Sequence, residues 1–433
     1  MTTTVRTAMA IAVAATFAAT TNIPAGHAED FYKGKTVRVL IGYGAGGGYD
    51  RYGRQLARHI GKHIPGNPSV AVQNMPGAGG LTLINYLYNI APKDGTEFGT
   101  FSRGAPLLAF SGESKQVRYD PIKMTWLGTS SSYDGEAYML AIRKDVDIKS
   151  FRELQKTKKE VNFAATAPGS DGHDVPLILR NVYNINAQVV RGYPGGNTLY
   201  LAVDRKEMDA RMVGISSVKT SRPGWLEKDS PVVFLLQFAT DKRLPEFPDV
   251  PTAQELVNSE EDRALINLIE TPFFMARPFA GPPNIPADRV KILREAFMAA
   301  HKDPDYLAEA KRVNMDVSPK SGEQVDKLIE RLSKTPKKLY ERYASILANP
   351  NSKLRKVNWI KVTGVVTETG KKGRFQFKVD GKDKPYKARM RNGYTKVKVG
   401  DKEAKAKAVK AGMKCNIWWE GPKSTPGRVE CAK

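Results

Sequence analysis

The sequence predicts an α/β body of two lobes followed by a small all-β domain, and three observations carry the prediction. From Phe31 to about Ala348, short apolar strands alternate with amphipathic helices, the pattern of a mostly parallel sheet covered on both faces. The strand-to-helix turns are clusters of small residues, and the proline-rich Leu244–Pro251 offers a crossing back between lobes. Past Asn349-Pro-Asn-Ser-Lys353 the texture changes to short alternating runs separated by turn signals, as in a small β-barrel of the OB type.

The body is organised around its glycine loops. Strand Thr36–Ile41 ends in Gly42-Tyr-Gly-Ala-Gly-Gly-Gly-Tyr-Asp50, and a helix follows from Arg51 to His63. Strand Ser69–Asn74 ends in Pro76-Gly-Ala-Gly-Gly80, and a second helix presents Leu81, Ile84, Leu87 and Tyr88 on one face. Glu97–Ser102 reads as a third strand closing at Arg103-Gly104. Trp126–Ser131 and Ala137–Ile142 are extended, Phe151–Thr157 is a helix capped by Ser150, and Lys159–Ala165 is a strand. The device then recurs twice: Ala167–His173 before a helix over Val175–Tyr183, and Gly192–Asn197 between strand Ala187–Arg191 and a helix from Thr198. Val232–Phe238 is a buried strand, and Thr252–Glu270, Asp288–His301, Pro304–Val313 and Ser321–Ala348 read as helices. These elements divide the chain into residues 29–132 with 250–348 as one lobe, 133–249 as the other, a linker at 349–355 and the β domain at 356–433.

At 433 residues the chain has ample core for such domains. A lone charge at Arg6, an apolar run from Ala8 to Ala19 and Gly26-His-Ala28 make residues 1–28 an expected export signal, too short to span a membrane. Of the net charge of +23, residues 353–433 supply +16 (23 Lys and Arg against 7 Asp and Glu), so the basic character belongs mostly to the tail. The two cysteines, Cys415 and Cys431, have no CxxC spacing or companion histidines. In an exported chain they read as one disulfide clamping the last strands, or as free buried thiols.

Helix N-termini behind glycine loops present unpaired N–H groups and the positive end of a dipole, and glycine lets backbone approach an anion. The body is therefore expected to hold a small carboxylate between such loops. Gly42-x-Gly44-x-x-Gly47 formally matches the dinucleotide fingerprint, yet the next strand ends in Gln73-Asn74 where an acid should take the ribose. His59 and His63 lack the glutamate of HExxH and read as exposed helix residues; Ser170 and His173 read as donors at a helix start rather than a nucleophile and base. No catalytic residue, metal site or cofactor is expected. Asp50 either caps its helix or guards the pocket, and Arg103 either suits a carboxylate through its two-pronged guanidinium or is an ordinary exposed arginine. In the tail, lysines interleave with Trp359, Phe375, Phe377, Tyr386, Tyr394, Trp418 and Trp419. Alternation alone would put rings inside and lysines outside. The functional version, for an exported chain, is contact with an anionic envelope surface, in preference to nucleic acid.

Gly46-Gly-Gly-Tyr-Asp50 with Arg54, and Gln73-Asn-Met-Pro-Gly-Ala-Gly-Gly80, resemble the paired signature of the Bug family, periplasmic receptors of tripartite tricarboxylate transporters. Ala167–Ser170 with His173, Tyr193–Asn197, Pro251–Glu255 and Gly281–Pro286 fall in the family's order. The resemblance covers about Phe31 to Ala348. It implies a Venus-flytrap of the periplasmic-binding-protein class that takes a small organic acid and meets membrane transporter subunits, expected here as a monomer. It implies gripping residues at Gly46, Gly47, Gly48, Tyr49 and Asp50; at Gly77, Ala78, Gly79 and Gly80; at Gly169, Ser170 and His173; and at Tyr193, Gly195, Gly196 and Asn197, with Arg103 beside them. Tyr49 is bulkier than the family pattern suggests and should reshape the pocket. The basic tail has no counterpart in the family's body.

Overall fold

The computed structural model describes residues 31–112, 114–238, 242–349, 360–390, 395–419 and 426–432. The expected export signal, nearly all of the linker, Trp359 and Tyr394 lie outside them. The first run of elements is β1 (Thr36–Ile41), α1 (Gly48–Ile60), β2 (Ser69–Asn74), α2 (Leu81–Asn89), β3 (Glu97–Thr100), α3 (Ala105–Ser111) and β4 (Thr125–Thr129). The middle of the chain forms β5 (Tyr138–Arg143), α4 (Phe151–Lys156), β6 (Val161–Ala164), α5 (Asp171–Tyr183), β7 (Ala187–Val190), α6 (Gly196–Asp204), β8 (Ala210–Gly214), α7 (Ile215–Ser221) and β9 (Val232–Phe238). There follow α8 (Ala253–Leu256), α9 (Glu260–Glu270), β10 (Pro278–Gly281), α10 (Ala287–Ala300), α11 (Pro304–Arg312), β11 (Lys320–Ser321), α12 (Gly322–Ser333) and α13 (Lys337–Ala348). The tail adds β12 (Ile360–Thr369), β13 (Arg374–Val379), β14 (Tyr386–Arg389), β15 (Lys396–Val399), β16 (Lys402–Ala404), β17 (Lys414–Trp419) and β18 (Arg428–Cys431).

Two sheets build the body. The first runs β11-β4-β10-β3-β1-β2 and combines strands from both ends of the body; the second runs β7-β6-β8-β5-β9, all from its middle. Each has a parallel trio: β1 lies between β2 and β3, and β6 between β7 and β8. Each also has an antiparallel strand, β10 in the first and β5 in the second. Parallel strands are wired by helices, so every strand-to-helix turn of a trio emerges at the same edge. That shared edge positions the site.

Packing follows the side-chain periods. On α1, Leu56 and Ile60 sit one turn apart and pack with Val37 and Val39 of β1, all fully buried. A larger core runs without a break from α2 in the first lobe to β5, α5 and α9. The final helix is tied to the second lobe: Tyr343 donates to Asp174 Oδ2 at 2.6 Å.

Several elements depart from expectation. The single helix expected over Thr252–Glu270 is two, because Ser259 accepts from Asp262 N and starts a fresh helix. The long helix expected over Ser321–Ala348 breaks at Pro336, which has no N–H to continue the ladder and disfavours helix in the residue before it. α3, β8 and α7 were not legible in the pattern. His59 and His63 are not exposed: each meets a carboxylate of the α10–α11 region at 2.7 Å, Glu309 and Asp303 respectively.

The tail is a seven-stranded sheet, β14-β13-β12-β17-β18-β15-β16, antiparallel except between β15 and β18. It wraps one core of Val366, Phe375, Phe377, Ile417, Trp419 and Val429. Its outer strands β14 and β16 are not bonded to each other among the described residues, so the ladder of the expected barrel is left open between them. Cys415 and Cys431 face each other across β17 and β18 and are joined in a disulfide.

Candidate functional site

Three helices from the two lobes begin at one seam. α1 starts behind Gly47, α5 behind Ser170 and α6 behind Gly195, and none of these residues caps its helix with a side chain. Apart from His173 N, which donates to Ser170 O at 2.9 Å, the amides of the first turns are thus left to whatever fills the seam. The opposing loops approach backbone to backbone. Gly44 N donates to Pro194 O at 3.2 Å, and a Cβ placed on Gly47 would stand 3.1 Å from Gly196 N. At a second contact Ser102 Oγ donates to Gly169 O at 2.7 Å, while a Cβ on Gly104 would be only 2.6 Å from that same oxygen. At a third, Gly79 packs on Ala167. Only glycine allows the lobes to meet this closely at Gly104, and at Gly47 a side chain would press the opposing loop back by a few tenths of an ångström.

Within the seam lies a cavity of about 80 Å³. Tyr43, Gly47, Gly48 and Tyr49 line it from the first lobe with Arg277; Tyr138, Ser170, Asp171, Gly196, Arg211 and Ser217 line it from the second. Tyr49 stacks on Tyr43 with centroids 4.7 Å apart, and its hydroxyl accepts from Arg103 N at 3.1 Å, which holds its ring along the cavity wall.

Three arginines are buried here, Arg103, Arg211 and Arg277, each no more than 5% exposed. Arg103 crosses the seam: its Nε stands 2.9 Å from Asp171 Oδ2, an ion-pair distance, although the N–H is not aimed well enough for a hydrogen bond. Its guanidinium lies over the rings of Tyr133 and Tyr138, 5.2 Å from each centroid. Burial works against that charge, but Asp171 and the surrounding tyrosines outweigh it and hold the group above its ordinary value. Asp171 is pushed up by the same burial, opposed by Arg103.

The other two cations have no carboxylate within ion-pair distance among the described residues. Arg211 donates Nη1 to Gly196 O at 3.0 Å and Nε to Met212 O at 3.4 Å, and stacks 3.9 Å from the Tyr200 centroid. Burial lowers its pKa, yet a guanidinium does not give up its proton in a protein. Arg277 donates Nη1 to Ala276 O at 2.8 Å, and its buried Nε has no partner. Asp171 lines the cavity and is ion-paired with Arg103, which leaves Arg211 and Arg277 buried without a direct ion pair among the described residues, although Arg277 also feels Asp171 and Asp316 at longer range. Such charge is costly unless an anion meets it.

Of the residues expected from the sequence, Gly47, Gly48, Tyr49, Ser170 and Gly196 line the cavity, and Arg103 stands directly behind it. Asp50 does not face it. Its carboxylate accepts from Gly46 N at 2.9 Å, Arg54 Nε at 3.0 Å and Asn74 Nδ2 at 2.7 Å, bracing the first loop. Burial alone would raise its pKa, but these bonds hold it below the usual carboxylate value. Gly77, Ala78, Gly79 and Gly80 lie off the cavity; Gly77 backs onto Thr82 and Gly80 onto Ser102. Gly46 and Asn197 face each other across the seam, as do Gly195 and Gly44. His173 bonds Asp174 at 2.7 Å and Gly169 N donates to the same carboxylate, so His173 shapes the loop from behind. Tyr193 lines an outer groove with Pro194 and Thr198, away from the arginines. Tyr43, Tyr138, Arg211, Ser217 and Arg277 were missed. The available signal was an arginine inside each of two short apolar runs, Ala210-Arg-Met-Val-Gly214 and Met275-Ala-Arg-Pro-Phe279.

No family model matches the chain. A curated relative, the UPF0065 protein in the gbd 5′ region of Cupriavidus necator, is 26% identical over 324 residues, covering 74% of this chain and 91% of the relative. Among solved structures, the periplasmic binding protein BugD superposes with a TM-score of 0.56 at 18% identity, covering 74% of this chain and 98% of BugD. MatC of Rhodopseudomonas palustris, solved with bound malate, gives 0.55 at 20% identity over 72% of this chain and 99% of its own. Another R. palustris protein, solved with adipate, gives 0.55 at 18% identity over 72% and 97%. The body of this chain thus has the fold of the solved periplasmic binding proteins BugD and MatC, and a basic β-sheet that lies outside that likeness is appended to it.

Proposed function

We propose that the body captures a small organic carboxylate between its lobes and delivers it to a secondary transporter of the tripartite tricarboxylate type. The observation that carries this is the pair of buried guanidiniums of Arg211 and Arg277, neither in a direct ion pair among the described residues, at a seam where three uncapped helices begin. Preorganised donors and cations in a dry site select an anion, and one touching both lobes favours their closure. Malate and adipate in two structures of the same fold support the ligand class. A seam of about 80 Å³ supports a compact ligand, since sites for larger ligands usually run to about 300–1,000 Å³. The fold shared with a periplasmic binding protein supports export of the chain, and the proposal takes the transporter as its partner and involves no turnover of the ligand. Lobes of 29–132 with 250–348 and of 133–249 are supported by the sheet membership of their strands. The test is a thermal-shift screen of mono-, di- and tricarboxylates on the mature chain, because a ligand of the folded form raises its melting point. At least one acid should do so and lose its effect in Arg277→Ala. A flat response across the panel overturns the reading.

A further inference from the structure

The outward face of the tail sheet carries a feature the cleft does not use. Strand pairing sets Lys361 opposite Trp418, Trp418 opposite Arg428, and Arg428 opposite Lys396, one row across β12, β17, β18 and β15. Residues paired across a sheet share a face. The opposite face holds Val362, Ile417, Val429 and Val397, which belong to the core. Lys361, Arg428 and Lys396 are exposed, and Trp418 is half-buried.

Lys361 Nζ lies 5.3 Å from the Trp418 ring centroid and Arg428 Cζ lies 4.8 Å from it. Arg428 also bonds Glu430, at 2.7 Å from Nε, which steadies it beside the ring. Neither Lys361 nor Lys396 is ion-paired among the described residues. On the side of the body, Lys156 and Arg152 of α4 are close enough to depress the ammonium of Lys396 below its ordinary value. A line of cations held near one another by a sheet, against their repulsion, suits a ligand with charges at intervals.

We propose that this row is a binding surface for a linear acidic polysaccharide, one bearing carboxylate, phosphate or sulfate groups along a sugar backbone. Single-stranded nucleic acid is the other polyanion to weigh. Its usual platform is an aromatic ring free to stack a base. Here the indole is engaged by a cation on each neighbouring strand, so the surface offers charge rather than a stacking face. The ring instead fixes where the two cations stand. The inference is independent of what the cleft binds.

The test uses the full mature chain, with heparin as a sulfated linear polysaccharide, neutral dextran, and oligo(dT) as the nucleic acid. Heparin should bind, weaken steeply with added salt, and lose at least tenfold in affinity in Lys361→Glu/Lys396→Glu; dextran should not bind. A control pair of equal charge, Lys371→Glu/Lys410→Glu, sits on turns away from the row and should change heparin affinity by less than threefold. Equal losses in the two pairs would mean that bulk charge alone binds heparin, and would overturn the proposal. So would oligo(dT) binding more tightly than heparin and weakening tenfold in Trp418→Ala, which would make the row a nucleic-acid surface. Melting temperatures of both double variants within a few degrees of the parent confirm that the sheet is intact, and a row variant that keeps heparin affinity within twofold also sinks the idea.

Discussion

The body and the tail are both basic, but they hold positive charge in opposite ways. Residues 1–352 have a net charge of +7, and their cleft sets three guanidiniums in a nearly dry seam. Residues 353–433 have a net of +16, spread over lysines that stand mostly in water. An exposed charge is screened within about 8 Å at physiological ionic strength, whereas a buried one is screened far less. The cleft can therefore discriminate among small anions with two or three groups. The tail needs many groups and a long partner to achieve comparable attraction, and loses it in salt.

Four measurements test this contrast, from the largest effect to the smallest. Arg277→Ala should cost about 2–4 kcal/mol of binding free energy for any acid found by the screen, roughly thirtyfold to several hundredfold. That loss should change little between low and physiological salt, as isothermal titration would read. If raising salt removed the difference, Arg277 would be acting as a surface charge. Reducing Cys415–Cys431 should destabilise the tail by about 3 kcal/mol, the scale for a bridge closing a loop of this length, and leave the body's transition in place. A single transition falling as one would show the two units to be coupled.

The third measurement concerns His301, buried with Nδ1 on Phe297 O and Nε2 on Ser130 Oγ. Burial lowers its pKa to about 4. Between that value and the ordinary one near 6.5 the unfolded chain binds the extra proton. Its contribution to stability is thus fully present above about pH 6.5 and lost as pH falls towards 4, on the order of 3 kcal/mol in all. Denaturant titrations of the body at pH 7 and pH 5 should show part of that fall, and His301→Gln should flatten it. An unchanged slope in the variant would assign the acid sensitivity elsewhere. Last, Lys378→Ala on the tail should move its stability by less than about 0.5 kcal/mol, as for an isolated surface side chain. Arg103→Ala refines the first test: a loss of ligand affinity under about threefold, or ~0.7 kcal/mol, would make Arg103 a strut for Asp171 and not part of the grip.

The glycine loops were legible because their chemistry is local. A strand, a run of small residues and an amphipathic helix can be read within about twenty positions, and the seam indeed forms where such units end. The same locality explains Ser150, whose hydroxyl accepts from Glu153 N as its position before a helix predicts. Arg211 and Arg277 were not legible because nothing in Ala-Arg-Met-Val-Gly or Met-Ala-Arg-Pro-Phe says that the arginine points inward. That depends on β8 lying between β5 and β6, and on β10 entering the first sheet from more than a hundred residues away. Asp50 illustrates the intermediate case. Its place after the glycines is visible, but its commitment to Gly46, Arg54 and Asn74 requires β2 to bring Asn74 alongside.

The bond from Tyr343 to Asp174 has a mechanical corollary. It fastens α13, the last helix of the body, to the first turn of a helix in the opposite lobe, so that this helix is held by both lobes at once. Any movement of one lobe against the other would then either break this bond or carry α13 along with the second lobe.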